Sequence, residues 1–136
     1  MKTKVENIVP FVAIAAWADD EYNEAEQVAM EEVAEVLNVD KKTFGQQVAS
    51  EIDALKNMSD EQVNEVAAKA AAGVDKQESK IVIEMCLEVV LADSELARDE
   101  VSSILVLADI LGLQPEDAVL MIADMIKTEP DITVEL

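Results

Sequence analysis

The residues best suited to chemistry in this chain are carboxylates, and they are concentrated in two similar acidic segments. Ala18–Glu26 reads Ala-Asp-Asp-Glu-Tyr-Asn-Glu-Ala-Glu, and Ala92–Glu100 reads Ala-Asp-Ser-Glu-Leu-Ala-Arg-Asp-Glu. Each segment follows one apolar run and precedes another, so each is predicted to be a turn between two helices. Carboxylates are the hard oxygen ligands that Ca²⁺ and Mg²⁺ prefer. An internal duplication usually means two similar units packed together, so both turns could converge on one acidic site.

The composition favours an all-helical fold. The chain has 136 residues and a net charge of −20, and 51% of it is hydrophobic, which excludes a disordered chain despite the charge. Three Gly, three Pro and 3% aromatic residues, against many Ala, Val, Leu and Glu, are typical of an all-α domain. Because a phosphate backbone would be repelled, no nucleic acid partner is expected. Cations, or a basic protein partner, are the natural complement.

Several kinds of catalytic or metal site are excluded or disfavoured, because the chain lacks the residues that they need. The chain has no His, which excludes a His-based triad and His-ligated transition metals. Its single cysteine, Cys86, lies within an apolar run and is expected to be buried rather than reactive. Carboxylates alone, or around a metal, can still catalyse reactions. Since no motif marks a substrate pocket, we expect a protein that is not an enzyme.

The N-terminal apolar run imitates a secretory signal, because Lys2 and Lys4 precede it and small residues end it. However, Phe11–Trp17 stands in the same place relative to its acidic turn as Met85–Leu91 does. We therefore expect the first helix of a cytoplasmic protein here. No run approaches the ~20 apolar residues of a membrane span, so no integral membrane segment is predicted.

About seven helices are expected along the chain. Their predicted starts carry capping signals, and two glycines are predicted to end helices. The starts are Asn23 with Glu26, Asp40, Ser59 with Gln62, Asp75 with Glu78, and Pro115; the ends are Gly73 and Gly112. The second helix is predicted to bury an apolar stripe of Val28, Met30, Val33, Ala34, Val36 and Leu37.

The duplication extends beyond the acidic turns. An ungapped alignment of residues 11–44 with 85–118 keeps the acidic positions and tracks the apolar ones. We therefore predict a single domain over 1–136, a compact bundle of about seven helices with internal pseudo-twofold symmetry. The repeats cover about 9–56 and 83–127, and a connector helix covers about 60–73.

The duplicated pattern resembles the tellurite-resistance protein B (TerB-like) family. The resemblance rests on an apolar helix, the Ala-Asp turn with its later Glu, and a second apolar helix, occurring twice; Asp20 and Ser94 replace a glycine common in the family. It implies a cytoplasmic bacterial protein associated with tellurite and general stress responses. It also implies a metal site, whose ligands here would be Asp19, Glu26, Asp93 and Glu100.

The chemistry of these residues suits a divalent cation, Ca²⁺ or Mg²⁺. If the two turns meet, a cation would offset the repulsion among four carboxylates; without it, the pKa of at least one should rise. An EF-hand is excluded, because the early ligand positions of such a loop would be occupied by Ala15 and Trp17, or by Val89 and Leu91.

Simpler interpretations stay open. Glu26 can complete a capping box with Asn23, and Asp19 or Asp93 can simply form turns. Glu84 and Glu88 with Lys80 are expected to be a solvated stripe, and Met121 and Met125 to be core or dimer contacts.

Three functions follow: a non-catalytic stress-response module that binds a divalent cation, a homodimerising interaction scaffold, or a carboxylate- or metal-dependent enzyme.

Overall fold

A computed structural model gives the fold of the chain. It describes the backbone of residues 2–17, 24–93, 95–96, 98–128 and 133–134, and the side chains of residues 2–17, 24–92 and 98–127.

Seven α-helices form the described structure, which confirms the predicted all-α fold. They are α1 (Val5–Trp17), α2 (Glu24–Leu37), α3 (Lys41–Leu55), α4 (Asp60–Ala71), α5 (Ser79–Val90), α6 (Arg98–Ile110) and α7 (Pro115–Thr128). Two short 3₁₀ helices, Lys76–Glu78 and Leu91–Asp93, precede and follow α5. Two two-residue strands, β1 (Glu95–Leu96) and β2 (Thr133–Val134), pair in parallel.

Helix α1 lies at the centre of the bundle. It packs against α3, α4, α5 and α6, and eight of its residues are buried. Its second half combines three alanines with Phe11, Val12 and Ile14, and all six of these side chains are buried. Pro10 lies beyond the first turn of α1 and therefore removes one intrahelical hydrogen bond. The run that imitates a secretory signal is thus core of this fold.

Helix α5 is the second central element. It packs against α1, α2, α6 and α7 and buries eight of its twelve residues. Cys86 is among them and is fully buried, as expected. Burial raises the pKa of the Cys86 thiol to about 12, so the reactive thiolate is scarce at neutral pH.

Three predicted helix starts are confirmed. The Asp40 carboxylate accepts a hydrogen bond of 2.9 Å from Thr43 N at the start of α3. Ser59 and Gln62 form a reciprocal capping box at the start of α4, with bonds of 3.2 and 2.9 Å. Pro115 is the first residue of α7, where its missing N–H costs no helical bond.

Gly73 and the pair Asp75 and Glu78 act differently from the prediction. Helix α4 ends at Ala71, and Gly73 has no positive φ; instead, a Cβ atom at Gly73 would overlap the side-chain amide of Asn7. Asp75 caps only the 3₁₀ turn, through Gln77 N at 2.9 Å. Glu78 makes no capping box, because its carboxylate binds the N-terminal segment of the chain.

The apolar stripe of α2 is narrower than predicted. Met30, Val33 and Ala34 are buried, but Val28 is 56% exposed and Val36 is 66% exposed. Val28 lies on the opposite face of α2 from the buried residues, whereas Val36, seven residues after the buried Ala29, lies at the edge of the buried face in the last turn of the helix. The prediction was wrong at these two positions, since a valine alone does not define the buried face.

Helices α2 and α6 end in the same way. Asn38 and Gly112, at equivalent positions of the two predicted repeats, adopt left-handed φ values of 57° and 84°. The next residues, Val39 and Leu113, donate their N–H groups to Ala34 O at 3.0 Å and Ala108 O at 2.9 Å. These are Schellman-type ends, for which Gly and Asn are the usual residues. The internal duplication stays a prediction, and these matching ends support it.

Within the described residues, no helix is both long enough and apolar enough to cross a membrane.

Candidate metal centre

Two of the four predicted ligands lie on the core-facing side of their helices. Glu26 is the third residue of α2, and the buried Met30 and Val33 follow it at i+4 and i+7. Glu100 is the third residue of α6, where Ile104 and Leu107 take the same places. Because residues at this spacing share one helix face, each carboxylate lies on the same core-facing side of its helix as the apolar residues that follow it.

Both glutamates are buried, at 2% exposed, and they are the only buried carboxylates among the described side chains. The other acidic residues of α2, such as Glu31 and Glu35, lie on its solvent face. Burying an ionised carboxylate is costly unless hydrogen bonds, an opposite charge or a metal compensates it. Glu26 and Glu100 occupy equivalent positions of the two predicted repeats, so one physical explanation should account for both burials.

The helix that carries Glu26, α2, packs on the central helix α5, and the helix that carries Glu100, α6, packs on the central helix α1. Helix α2 contacts α5 and the 3₁₀ turn Leu91–Asp93, while α6 contacts α1 as well as α5. The second acidic turn therefore begins against the helix that bears Glu26. The backbone of Leu91–Asp93, which contains the predicted ligand Asp93, therefore lies next to α2, which carries the predicted ligand Glu26.

Asp19 lies outside the described residues, as does the side chain of Asp93. Among the side chains that are described, no group of three or more acidic or thiol residues is arranged to hold a metal ion. The meeting of four carboxylates at one site stays a prediction.

A second acidic group lies on the solvent side of α2 and α5. Glu32, Glu84 and Glu88 are all exposed, which confirms the predicted solvated stripe of α5. Partial burial raises the pKa of Glu88, and the negative charges of Glu32 and Glu84 raise it further. This cluster is therefore a point of mild electrostatic strain in the fold.

Comparison with known proteins identifies the family. The model of the family described as tellurite resistance protein TerB matches residues 45–123, which is more than half of the chain. The chain belongs to the TerB family. The matched part contains the second acidic turn but not the first, so Asp19 and Glu26 lie outside the matched residues. A search of curated proteins found no match. The search of solved structures found none either.

This TerB chain also has a cleft that the sequence did not reveal. It has a volume of about 630 Å³ and lies between the ends of α1 and α3 and the starts of α4 and α6. Its lining includes Trp17, Asp60 and Asp99, which are far apart in the sequence. No local motif could have identified it, because four separate elements contribute the lining. The only indication of a cleft in the sequence was Trp17, the single tryptophan of the chain.

Proposed function

We propose that this TerB protein is a non-catalytic stress-response module that binds a divalent cation, Ca²⁺ or Mg²⁺, through its two acidic turns. The ligands would be the carboxylates of Asp19, Glu26, Asp93 and Glu100. In this proposal the cation joins the two halves of the bundle and stabilises their packing. The same acidic character makes a basic protein the expected macromolecular partner.

The burial of Glu26 and Glu100 is the observation that carries the proposal. Capping alone does not require it, since a capping carboxylate at a helix start reaches the backbone from an exposed position, as Asp40 does. A divalent cation compensates several carboxylates at once and uses oxygen ligands, which these turns supply. The packing of Leu91–Asp93 against α2 further supports a shared site.

Isothermal titration of Ca²⁺ and Mg²⁺ into chelator-treated protein tests the proposal. We expect saturable binding by the wild type and its loss in Glu26→Gln/Glu100→Gln. The matched control is Glu31→Gln/Asp109→Asn, which removes the same charge from exposed positions of α2 and α6. Equal binding by wild type and both variants would show only non-specific attraction to the charge of −20 and would reject the site.

A homodimerising scaffold is the second candidate, and it rests on α7. Val119 and Leu120 are 54% and 60% exposed there, while Met121 and Met125 are partly buried against the core. Adjacent exposed aliphatic residues on an outer helix are suited to contact a second copy. Sedimentation equilibrium tests this function: the wild type should dimerise and Val119→Ser/Leu120→Ser should not. A monomeric wild type at high micromolar concentration would reject it.

A further inference from the structure

The lining of the cleft between α1, α3, α4 and α6 includes both apolar and acidic residues. Ile14, Leu55 and Leu107 line it and are buried, and Trp17 lines it as well. Asp60 and Asp99 are exposed and line it from α4 and α6. A volume of about 630 Å³ is within the usual range for small-molecule sites. The cleft could therefore hold a ligand with an apolar body and a polar end.

The charge of the lining favours a positive ligand. Lys56 is the single basic residue there; its ammonium lies 5.0 Å from the centroid of the Trp17 ring and 3.4 Å from Asp53 Oδ1, so its charge already has partners. Asp60 and Asp99 form no ion pair with any residue of the described part of the chain. The lining thus presents two carboxylates that a cationic group could approach.

Asp60 is not needed to start its helix. The capping box of Ser59 and Gln62 already caps the start of α4 by satisfying the backbone N–H groups of both residues. The carboxylate of Asp60 is therefore available to the cleft. Asp99 lies on α6, which packs against α4, so both carboxylates border the same opening. The net charge of −20 also raises the local concentration of cations at this surface.

We propose that this cleft binds a small organic cation, in which an amine or guanidinium group is joined to an apolar body. The basic group pairs with Asp60 and Asp99, and the apolar body lies on Ile14, Leu55 and the edge of Trp17. Neither Glu26 nor Glu100 lines the cleft, so the inference goes beyond the proposed function. It holds whether or not the acidic turns bind a metal.

Titration of 4-phenylbutylamine, followed by ¹H–¹⁵N correlation spectra in the presence of chelator, tests the proposal. We expect saturable shifts at the Trp17 indole and at the amides of Asn64, Ser102 and Ser103. The neutral analogue 4-phenylbutanol should bind more weakly at the same residues. Affinity for the amine should fall as salt rises, because exposed charges are screened.

The double variant Asp60→Asn/Asp99→Asn should bind the amine roughly five- to tenfold more weakly, as expected for two exposed charge pairs. Asp109→Asn/Asp124→Asn removes the same charge from exposed positions outside the cleft and should bind as the wild type does. Equal affinity for amine and alcohol, or equal losses in both variants, would overturn the proposal. Tighter binding of a lysine-containing peptide at these residues would overturn it in favour of a protein partner.

Discussion

Thr3 and Glu78 are joined by two short hydrogen bonds that fasten the N-terminus of the chain to the start of α5. Thr3 N donates to Glu78 Oε1 at 2.7 Å, and Thr3 Oγ1 donates to the same oxygen at 2.6 Å. Lys2 N donates to Oε2 at 3.0 Å, and Thr3 Oγ1 accepts from Asp75 N at 3.0 Å. One carboxylate therefore organises both the N-terminal segment and the linker between α4 and α5.

Glu78→Gln should lower the melting temperature at pH 7, because hydrogen bonds to a charged acceptor are stronger than those to a neutral one. The bonds from Thr3, above all from its side chain, lower the pKa of Glu78 below its ordinary value of 4.5. A lowered folded-state pKa stabilises the fold above the unfolded value, and this contribution is lost as pH falls through the folded-state pKa.

Thermal melts between pH 7 and pH 3 check this prediction. The difference between wild type and Glu78→Gln should narrow below about pH 4.5, because Glu78 of the unfolded chain then binds a proton while Glu78 of the folded protein, with its lowered pKa, is still ionised. Glu65→Gln, an exposed change on α4, serves as the control and should show no such trend. A constant difference across the whole range would show that the charge of Glu78 is not involved.

Gly73→Ala should destabilise the protein by about 1 kcal/mol, because the new methyl group meets the side-chain amide of Asn7. Gly45→Ala is the matched control: no atom lies within 4 Å of its added Cβ, and alanine favours the interior of α3 by about 0.5–1 kcal/mol. Urea unfolding should therefore give shifts of opposite sign. Adding Asn7→Ala to Gly73→Ala should recover stability, and failure to do so would contradict the contact.

Helix ends set by neighbouring residues were predictable from the sequence, whereas those set by distant contacts were not. Asp40 and the pair Ser59 and Gln62 bond within three residues, so their spacing alone indicates the cap. Gly73 and Glu78 look equally local, yet their partners Asn7 and Thr3 lie near the N-terminus. No short motif carries that information.

The candidate site was partly predictable as well. The repeated motif identified Glu26 and Glu100, and Glu26 was predicted to lie at the start of its helix, but the burial of the two carboxylates was not predicted. Their spacing to Met30 and Ile104 already placed both on a buried helix face. The cleft with Asp60 and Asp99 was not predictable, since it forms only when four helices pack.

Glu88→Gln should stabilise the protein at pH 7 by a few tenths of a kcal/mol, the scale expected for a largely exposed charge cluster. Burial, then Glu32 and Glu84, raise the pKa of Glu88, so its ionised form is disfavoured in the fold. This penalty is present above the folded-state pKa and is removed as pH falls through it. Urea unfolding at pH 7 and pH 4 should show a gain that shrinks at pH 4; destabilisation at pH 7 would contradict this interpretation.

The most direct test of the central claim, that the acidic turns form a divalent-cation site, is the melting temperature of chelator-treated protein before and after adding Ca²⁺ or Mg²⁺. A cation at 100 times its Kd should stabilise the wild type by about 2.7 kcal/mol, because it binds only the folded state. Monovalent salt at matched ionic strength controls for screening of the charge. We predict a shift in wild type and in Glu31→Gln/Asp109→Asn, but none beyond the salt effect in Glu26→Gln/Glu100→Gln. No metal-specific shift in the wild type, or the same shift in all three proteins, would contradict the claim.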